Sequence, residues 1–305
     1  MRSAPAISVR GLRKSYGSIE AVRGIDFEVR EGEVFALLGP NGAGKTTTVE
    51  ILEGHRKRSA GEVSVLGFDP EKGGRSFRER IGIVLQETGV ERYLTVAESI
   101  EMFRGYYPAP LPLDEVLEVV GLRDQRNVRV RKLSGGQQRR LDVAIGLAGN
   151  PDLLFLDEPT TGFDPAARRN AWQMIRNLRS LGKTVLLTTH YLDEADNLAD
   201  RVAIISAGVI VAEGTPAQLI ASEPSSTIRF RAATSQPLPP ELASVAALDN
   251  GVTTIRTATP TRVLYELLRW ANDNGIELEE LTLSRASLED VYLKLVGATE
   301  PEAVS

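Results

Sequence analysis

The chain has 305 residues, a formal net charge of −5 and no cysteine. The acidic balance argues against a nucleic-acid partner, and the lack of cysteine excludes disulfides, thiolate metal sites and thiol catalysis. Its only histidines are His55 and His190, so a histidine metal cluster is not expected, and its longest apolar runs are only strand-sized, such as 153–156 and 202–205, far short of the roughly 20 residues of a membrane-spanning helix.

In chain order, residues 7–9 and 25–29 read as short strands, Gly32 as a turn, and 34–38 as a compact apolar strand running into Gly39. Residues 46–52 are helix-compatible and Gly54 stops them; 63–66 and 81–85 are further strands. From 96 to 121 the pattern is helical but broken by Pro108, Pro110 and Pro112. Residues 134–148 read as a helix, 153–156 as a buried strand, 166–178 as a helix, 184–187 as a buried strand, and 202–205 with 209–212 as a hairpin. Strands alternating with helices predict an α/β core. Beyond the linker 223–226 come strands 228–230 and 252–255, helix 261–271, strand 276–283 and helix 288–295, with a Pro-rich break at 236–240. That is a small α+β unit, so the expected domains are 1–222 and 223–305. Ser287 with Asp290 three residues on predicts the cap of the last helix.

The chemistry concentrates in three places. Gly39-Pro40-Asn41-Gly42-Ala43-Gly44-Lys45-Thr46 fits G-x-x-x-x-G-K-[ST] between a strand and a helix. Its glycines let backbone N–H groups face phosphate oxygens, and the helix start adds unpaired donors. Lys45 is expected on the β and γ phosphates, the Thr46 hydroxyl on Mg²⁺, and Thr47 beside it. The strand 153–156 ends in Asp157 and Glu158: Asp157 supports the Mg²⁺ shell and Glu158 polarises the attacking water. His190, just past another strand, can donate to the γ-phosphate and hold Glu158 in register. Leu133-Ser134-Gly135-Gly136-Gln137 forms a second anion cradle at a helix start.

A phosphate loop, this pentapeptide and a terminal Asp-Glu strand, in that order, resemble the ABC (ATP-binding cassette) transporter ATPase family over roughly residues 5–220. The resemblance implies a P-loop ABC-type core with a helical signature subdomain at about 88–150, ATP and Mg²⁺ as cofactors, and ATPase activity. It implies two sites shared across a head-to-tail dimer of identical or closely related subunits, Ser134, Gly135, Gly136 and Gln137 capping the nucleotide held by the partner. By the same resemblance Tyr16 stacks on adenine, Gln86 senses the γ-phosphate and Mg²⁺, and Asp164 belongs to the dimer-contacting loop, with Phe163 where leucine is commoner. Separate multi-span permease subunits are implied, with this chain peripheral on the cytoplasmic face of the membrane.

The stretch 283–293, from Leu283-Ser284-Arg285 to Asp290-Val291-Tyr292-Leu293, resembles the C-terminal extension of daunorubicin-resistance-type, ABC-2-type exporter ATPases. That points to export of a drug-like or other small molecule. Another cargo (a lipid, a polysaccharide, an importer's substrate) and a non-transport ABC protein remain the alternatives. The basic run His55-Arg56-Lys57-Arg58 reads as a solvated loop, while Tyr106 and Tyr107 stay open between a permease contact and the core.

Overall fold

The computed structural model describes residues 4–84, 89–221, 226–232, 236–285 and 287–297. The chain divides into two compact units, Met1–Pro216 and Ala217–Ser305.

The first unit opens with a hairpin of β1 (Ile7–Tyr16) and β2 (Ile19–Val29). Both strands exceed their apolar signals at 7–9 and 25–29, because the remainder alternates irregularly and is largely exposed around register shifts near Leu12. After β3 (Val34–Leu38) and α1 (Lys45–Leu52), β4 (Ala60–Val65) pairs back on β1, giving an antiparallel sheet of order β2-β1-β4. The short α2 (Gly74–Arg78) precedes β5 (Ile81–Val84). The proline-broken region resolves into α3 (Val96–Arg104) and α4 (Leu113–Val119). Then follow α5 (Gly135–Leu147), β6 (Leu153–Asp157), α6 (Pro165–Ser180), β7 (Thr184–Thr189), α7 (Leu192–Leu198) and the hairpin β8 (Arg201–Ser206) with β9 (Val209–Gly214).

The second sheet has the order β5-β6-β7-β3-β8-β9, parallel except where β9 runs antiparallel to β8. Strands β3 and β7 are buried along their whole length and β6 up to Asp157, as parallel strands covered on both faces must be. Ile7, Val9, Phe27 and Val29 from the antiparallel sheet share a core with Phe35, Leu37 and Phe155 from the parallel one. Fully burying a ring such as Phe155 contributes about 2–3 kcal/mol. Register then places the site: Leu38 lies opposite Thr189, and Asp157 opposite Thr188. The chain therefore leaves β3, β6 and β7 at one edge, side by side, where open parallel sheets bind ligands.

The second unit begins inside α8 (Pro216–Ala221) and continues with β10 (Ser226–Arg231), α9 (Pro240–Ala243), β11 (Ala246–Asp249), β12 (Val252–Thr257), α10 (Pro260–Asp273), β13 (Glu279–Arg285) and α11 (Leu288–Gly297). Its antiparallel sheet, ordered β11-β12-β10-β13, sets Ile228, Phe230 and Ile255 against Val263 and Leu267 of α10. The last strand starts later than its apolar signal at 276, since Ile276 N–H closes the end of α10 on the Ala271 carbonyl at 2.8 Å. The expected cap is present: Asp290 N–H donates to Ser287 Oγ at 3.3 Å, and Ser287 N–H returns to Asp290 Oδ2 at 2.9 Å. Residues 223–225 of the expected linker lie outside the described residues.

Candidate functional site

The loop 39–46 joins β3 to α1 and needs glycine at two close approaches. A Cβ on Gly39 would stand 2.2 Å from the Ile205 carbonyl oxygen, and one on Gly44 2.6 Å from that of Ala21. Gly44 also takes φ 102°, which L side chains rarely adopt. Asn41, Gly42 and Thr46 are exposed on the loop, Pro40 and Thr47 half-buried, and Ala43 buried. Lys45 is buried, its Nζ donating to the carbonyls of Gly39 at 2.7 Å and Pro40 at 3.1 Å. Burial lowers its pKa, while the charges of Glu158 and Asp157 oppose that shift.

Glu158 stands at the junction of the three strand ends. Its backbone has φ 44°, a left-handed conformation costing about 1–3 kcal/mol in a residue with a side chain. Thr188 holds it there. The Glu158 N–H donates to the Thr188 carbonyl at 3.2 Å and to Thr188 Oγ1 at 3.1 Å, and the same hydroxyl donates to Asp157 Oδ1 at 2.5 Å. The Glu158 carboxylate, 12% exposed, has three neighbours: Lys45 Nζ 3.8 Å from Oε1, His190 Nδ1 3.1 Å from Oε1, and Thr161 Oγ1 donating to Oε2 at 3.1 Å. The histidine contact is a hydrogen bond in the Nδ1–H tautomer.

Beneath this group lies an acid that no sequence pattern marks. Glu53, capping the end of α1, is buried, and its pKa is pushed up to about 8 by burial, then by the charges of Asp157 and Glu50. Arg139, buried on α5, donates to the Asp157 carbonyl at 2.8 Å and to that of Pro159 at 3.4 Å, fastening the helix to the strand end that carries Glu158.

The pentapeptide forms the start of α5. Ser134 is the N-cap: Gln137 N–H donates to Ser134 Oγ at 3.3 Å and Ser134 N–H to Gln137 Oε1 at 2.9 Å, a reciprocal capping box. Gly135 meets nothing at its Cβ position. A cleft of about 1130 Å³ opens here, lined by Ser134, Gly135, Gly136, Glu158 and Asp164 among others, but by no residue of the loop 39–46. Asp164 caps α6, its Oδ1 accepting from the Ala166 and Ala167 N–H groups at 2.8 Å each.

Tyr16 ends β1 and is 40% exposed, with Lys14 Nζ 4.9 Å and the Arg56 guanidinium 5.3 Å from its ring centroid. Arg56 pairs with Glu50, Arg58 with Asp69 and Glu71, and His55 lies 3.3 Å from Glu53, so these three members of the basic run have partners within the chain. Tyr106 is 69% exposed, whereas Tyr107 packs where a Cβ on Gly149 would fall. Gln86 lies outside the described residues.

The structure thus brings Lys45, Asp157, Glu158 and His190 together, and sets Ser134–Gln137 on a cleft that Glu158 also lines but the loop 39–46 does not. The cradle that Gly39 and Gly44 keep open fits a nucleotide's phosphates, and the exposed Thr46 hydroxyl with the Asp157 carboxylate is an oxygen donor pair suited to Mg²⁺ carried on them. Thr188, Thr161, Glu53 and Arg139 escaped the sequence reading. Thr188 is one of three threonines in β7, and nothing local in the sequence sets it apart.

Among known families, the profile of the ABC transporter family matches residues 22–161, and one described as an ABC transporter domain-containing protein-like C-terminal domain matches residues 226–287. The daunorubicin/doxorubicin resistance ATP-binding protein DrrA of Streptomyces peucetius is 39% identical over 310 residues, covering 96% of this chain and 92% of that protein. The Nod factor export ATP-binding protein I of Ralstonia nicotianae is 38% identical over 306 residues, covering 97% and 95%. Among solved structures, cbiO1 from Clostridium perfringens, part of the ABC transporter complex cbiONQ, matches with a TM-score of 0.65 at 29% identity over 72% of this chain and 92% of that one. The dimeric post-hydrolysis structure of the ATP-binding cassette MJ0796 with ADP and Pi matches with a TM-score of 0.60 at 26% identity, over 68% and 98%.

Proposed function

This chain belongs to the ATP-binding family of ABC transporters, and from that premise we propose that it is the motor of an exporter for a drug-like or other small molecule, acting as a dimer on separate permease subunits. It is an ATP-binding and ATP-hydrolysing subunit that powers transport through membrane partners. The observation that carries the finer reading of the site is the meeting of Lys45, Asp157, Glu158 and His190 at the ends of three adjacent strands.

In this reading Lys45 leaves its loop carbonyls for the β and γ phosphates, a short move for a side chain already held at the loop mouth. Glu158 orients the attacking water, and His190 keeps that carboxylate in register through its Nδ1–H; as the imidazolium, with hydrogen on both ring nitrogens, it also donates from Nε2 to the γ-phosphate. Thr46, Gln86 and Asp157 would hold Mg²⁺, which when bound neutralises charge on the phosphates. Tyr16 carries the base, its face already attractive to cations. Ser134, Gly135, Gly136 and Gln137 cap the nucleotide of a second subunit, and Asp164 lies at the contact between the two. The separation of the signature cleft from the loop 39–46 supports this division between subunits, as does the dimeric state of the MJ0796 cassette.

Among the described residues no helix is long and apolar enough to cross a membrane, so a peripheral place on the cytoplasmic face comes through the permease. The exposed Tyr93, Met102 and Tyr106 of the helical region offer an apolar contact for it. Export is supported by relatives whose names include daunorubicin resistance and Nod factor export. Because the two differ in cargo at nearly equal identity, a cargo other than a drug is the second reading.

The test is Glu158→Gln. It is expected to bind Mg-ATP normally, to lose turnover, and to run as a dimer in ATP on size exclusion. Rapid turnover in this variant would remove Glu158 from the catalytic role. For cargo, cells lacking the gene should accumulate a daunorubicin-like compound; unchanged accumulation favours the second reading.

A further inference from the structure

Behind His190 lies a set of contacts made by Tyr191 and Arg168, to which the site described above assigns no role. Tyr191 directly follows His190, and its ring lies against the imidazole with centroids 4.1 Å apart and planes tilted by 39°. The Arg168 guanidinium, from α6, stands 4.5 Å from the centroid of the same tyrosine ring. Each partner is anchored independently. The Tyr191 N–H donates to Thr189 Oγ1 at 2.9 Å, Thr189 being fully buried at the end of β7. Arg168 NH1 donates to Asp193 Oδ2 at 3.0 Å, and the Arg168 N–H donates to the carbonyl of Asp164, the cap of the same helix, at 2.9 Å. The Arg168 Nε is buried without a hydrogen-bond partner. A charged group left so placed gains from the negative face of an aromatic ring.

His190 needs such support. Its side chain is 30% exposed, and its contact with Glu158 engages one ring nitrogen. A terminal sp³–sp² torsion like that of histidine has broad, nearly two-fold wells, so one hydrogen bond leaves the ring free to rock. A ring packed against the imidazole narrows that motion, and a guanidinium on the packed ring fixes the ring in turn. Contact therefore runs unbroken from Asp164 through the first turn of α6, Arg168, Tyr191 and His190 to Glu158.

We infer that Tyr191 and Arg168 are positioning residues for hydrolysis: they hold the His190 imidazole on Glu158 and tie its orientation to the helix that begins at Asp164. The inference rests on the roles of His190 and Glu158 proposed above. It also gives the loop containing Asp164, at the proposed subunit contact, a mechanical route to the hydrolytic pair.

Steady-state ATPase kinetics of the full-length protein test this. Tyr191→Ala should lower kcat about tenfold, with KM for ATP within about twofold, as expected for one stacking interaction lost from the transition state. Tyr191→Phe keeps the ring face and should restore most of kcat. Arg168→Met, reaching the array from another element, should lower kcat in the same sense without raising KM. In a His190→Ala background, Tyr191→Ala should cause no further loss. If Tyr191→Ala does not fold, Tyr191→Leu replaces it, filling volume without an aromatic face. Parent-like kcat in Tyr191→Ala, a full loss in Tyr191→Phe, or an undiminished further loss on top of His190→Ala would each overturn the inference. Parent-like kcat in His190→Ala would instead overturn the role of His190 itself, and the inference with it.

Discussion

Glu53→Gln is the most quantitative perturbation that the structure offers. The Glu53 side chain is 3% exposed at the end of α1 and faces the charges of Asp157 and Glu50, which with burial push its pKa from the ordinary 4.5 to about 8. Between those two pH values the folded protein holds a proton that the unfolded chain has released. The folded state thus binds more protons, and stability must fall as pH rises through the window. At about 1.4 kcal/mol per pH unit over about 3.5 units, the whole effect is bounded at about 5 kcal/mol; the His55 imidazole, 3.3 Å from Glu53 Oε2, would reduce it when protonated. Glutamine keeps the shape and carries no titrating proton. The stability advantage of Glu53→Gln over the parent should therefore widen from pH 4.5 to about 8 and level off above. Urea or thermal unfolding of both proteins at half-unit steps from pH 5 to 9 measures this, with a widening of several degrees expected in the midpoint. A gap independent of pH would mean that Glu53 titrates as an ordinary carboxylate. A gap that narrows with rising pH would mean that its ionised form is favoured, and would refute the reasoning outright.

Two further outcomes follow from the site geometry. Thr188→Val removes the hydroxyl that joins Asp157 to the Glu158 N–H, so it should cost about 1–3 kcal/mol in unfolding free energy. It should also lower kcat more than ATP affinity, because the left-handed backbone of Glu158 loses one of its holders; unchanged kcat would count against that role. Gly39→Ala drives a methyl to within 2.2 Å of the Ile205 carbonyl unless the backbone shifts, so loss of nucleotide binding is expected by calorimetry, and parent-like affinity would contradict the cradle.

Much of the architecture was legible in the chain's own pattern. Runs such as Val34–Leu38 and the Val185–Leu187 centre of the strand read at 184–187 are apolar without alternation, the signature of parallel strands covered on both faces, and they precede the loops that carry the chemistry. The antiparallel hairpin was half legible. Residues 10–16 and 19–24 carry charges on an exposed surface, and its strand character comes from pairing rather than periodicity. The helix Leu192–Leu198 also went unread, being short and acidic, with Leu192, Ala195 and Leu198 as its few apolar positions. Within the site, neighbours in sequence were legible and neighbours across strands were not. Asp157 and Glu158 announce themselves beside an apolar run. Thr188 acts on them through a strand register that no local motif records. Glu53 and Arg168 matter through burial and a ring contact, both settled by tertiary packing.

The cap at the start of α5 has a consequence for how one oxygen serves two ends. Ser134 Oγ accepts from the Gln137 N–H, and accepting leaves the hydroxyl's own hydrogen uncommitted. The lone pair that steadies the helix and the proton that a phosphate oxygen would take are thus different valences of a single atom. Helix stability and anion recognition need not compete at this position. In the proposed role a hydroxyl could serve both, an aspartate would cap while repelling an anion, and an alanine would forfeit the two together.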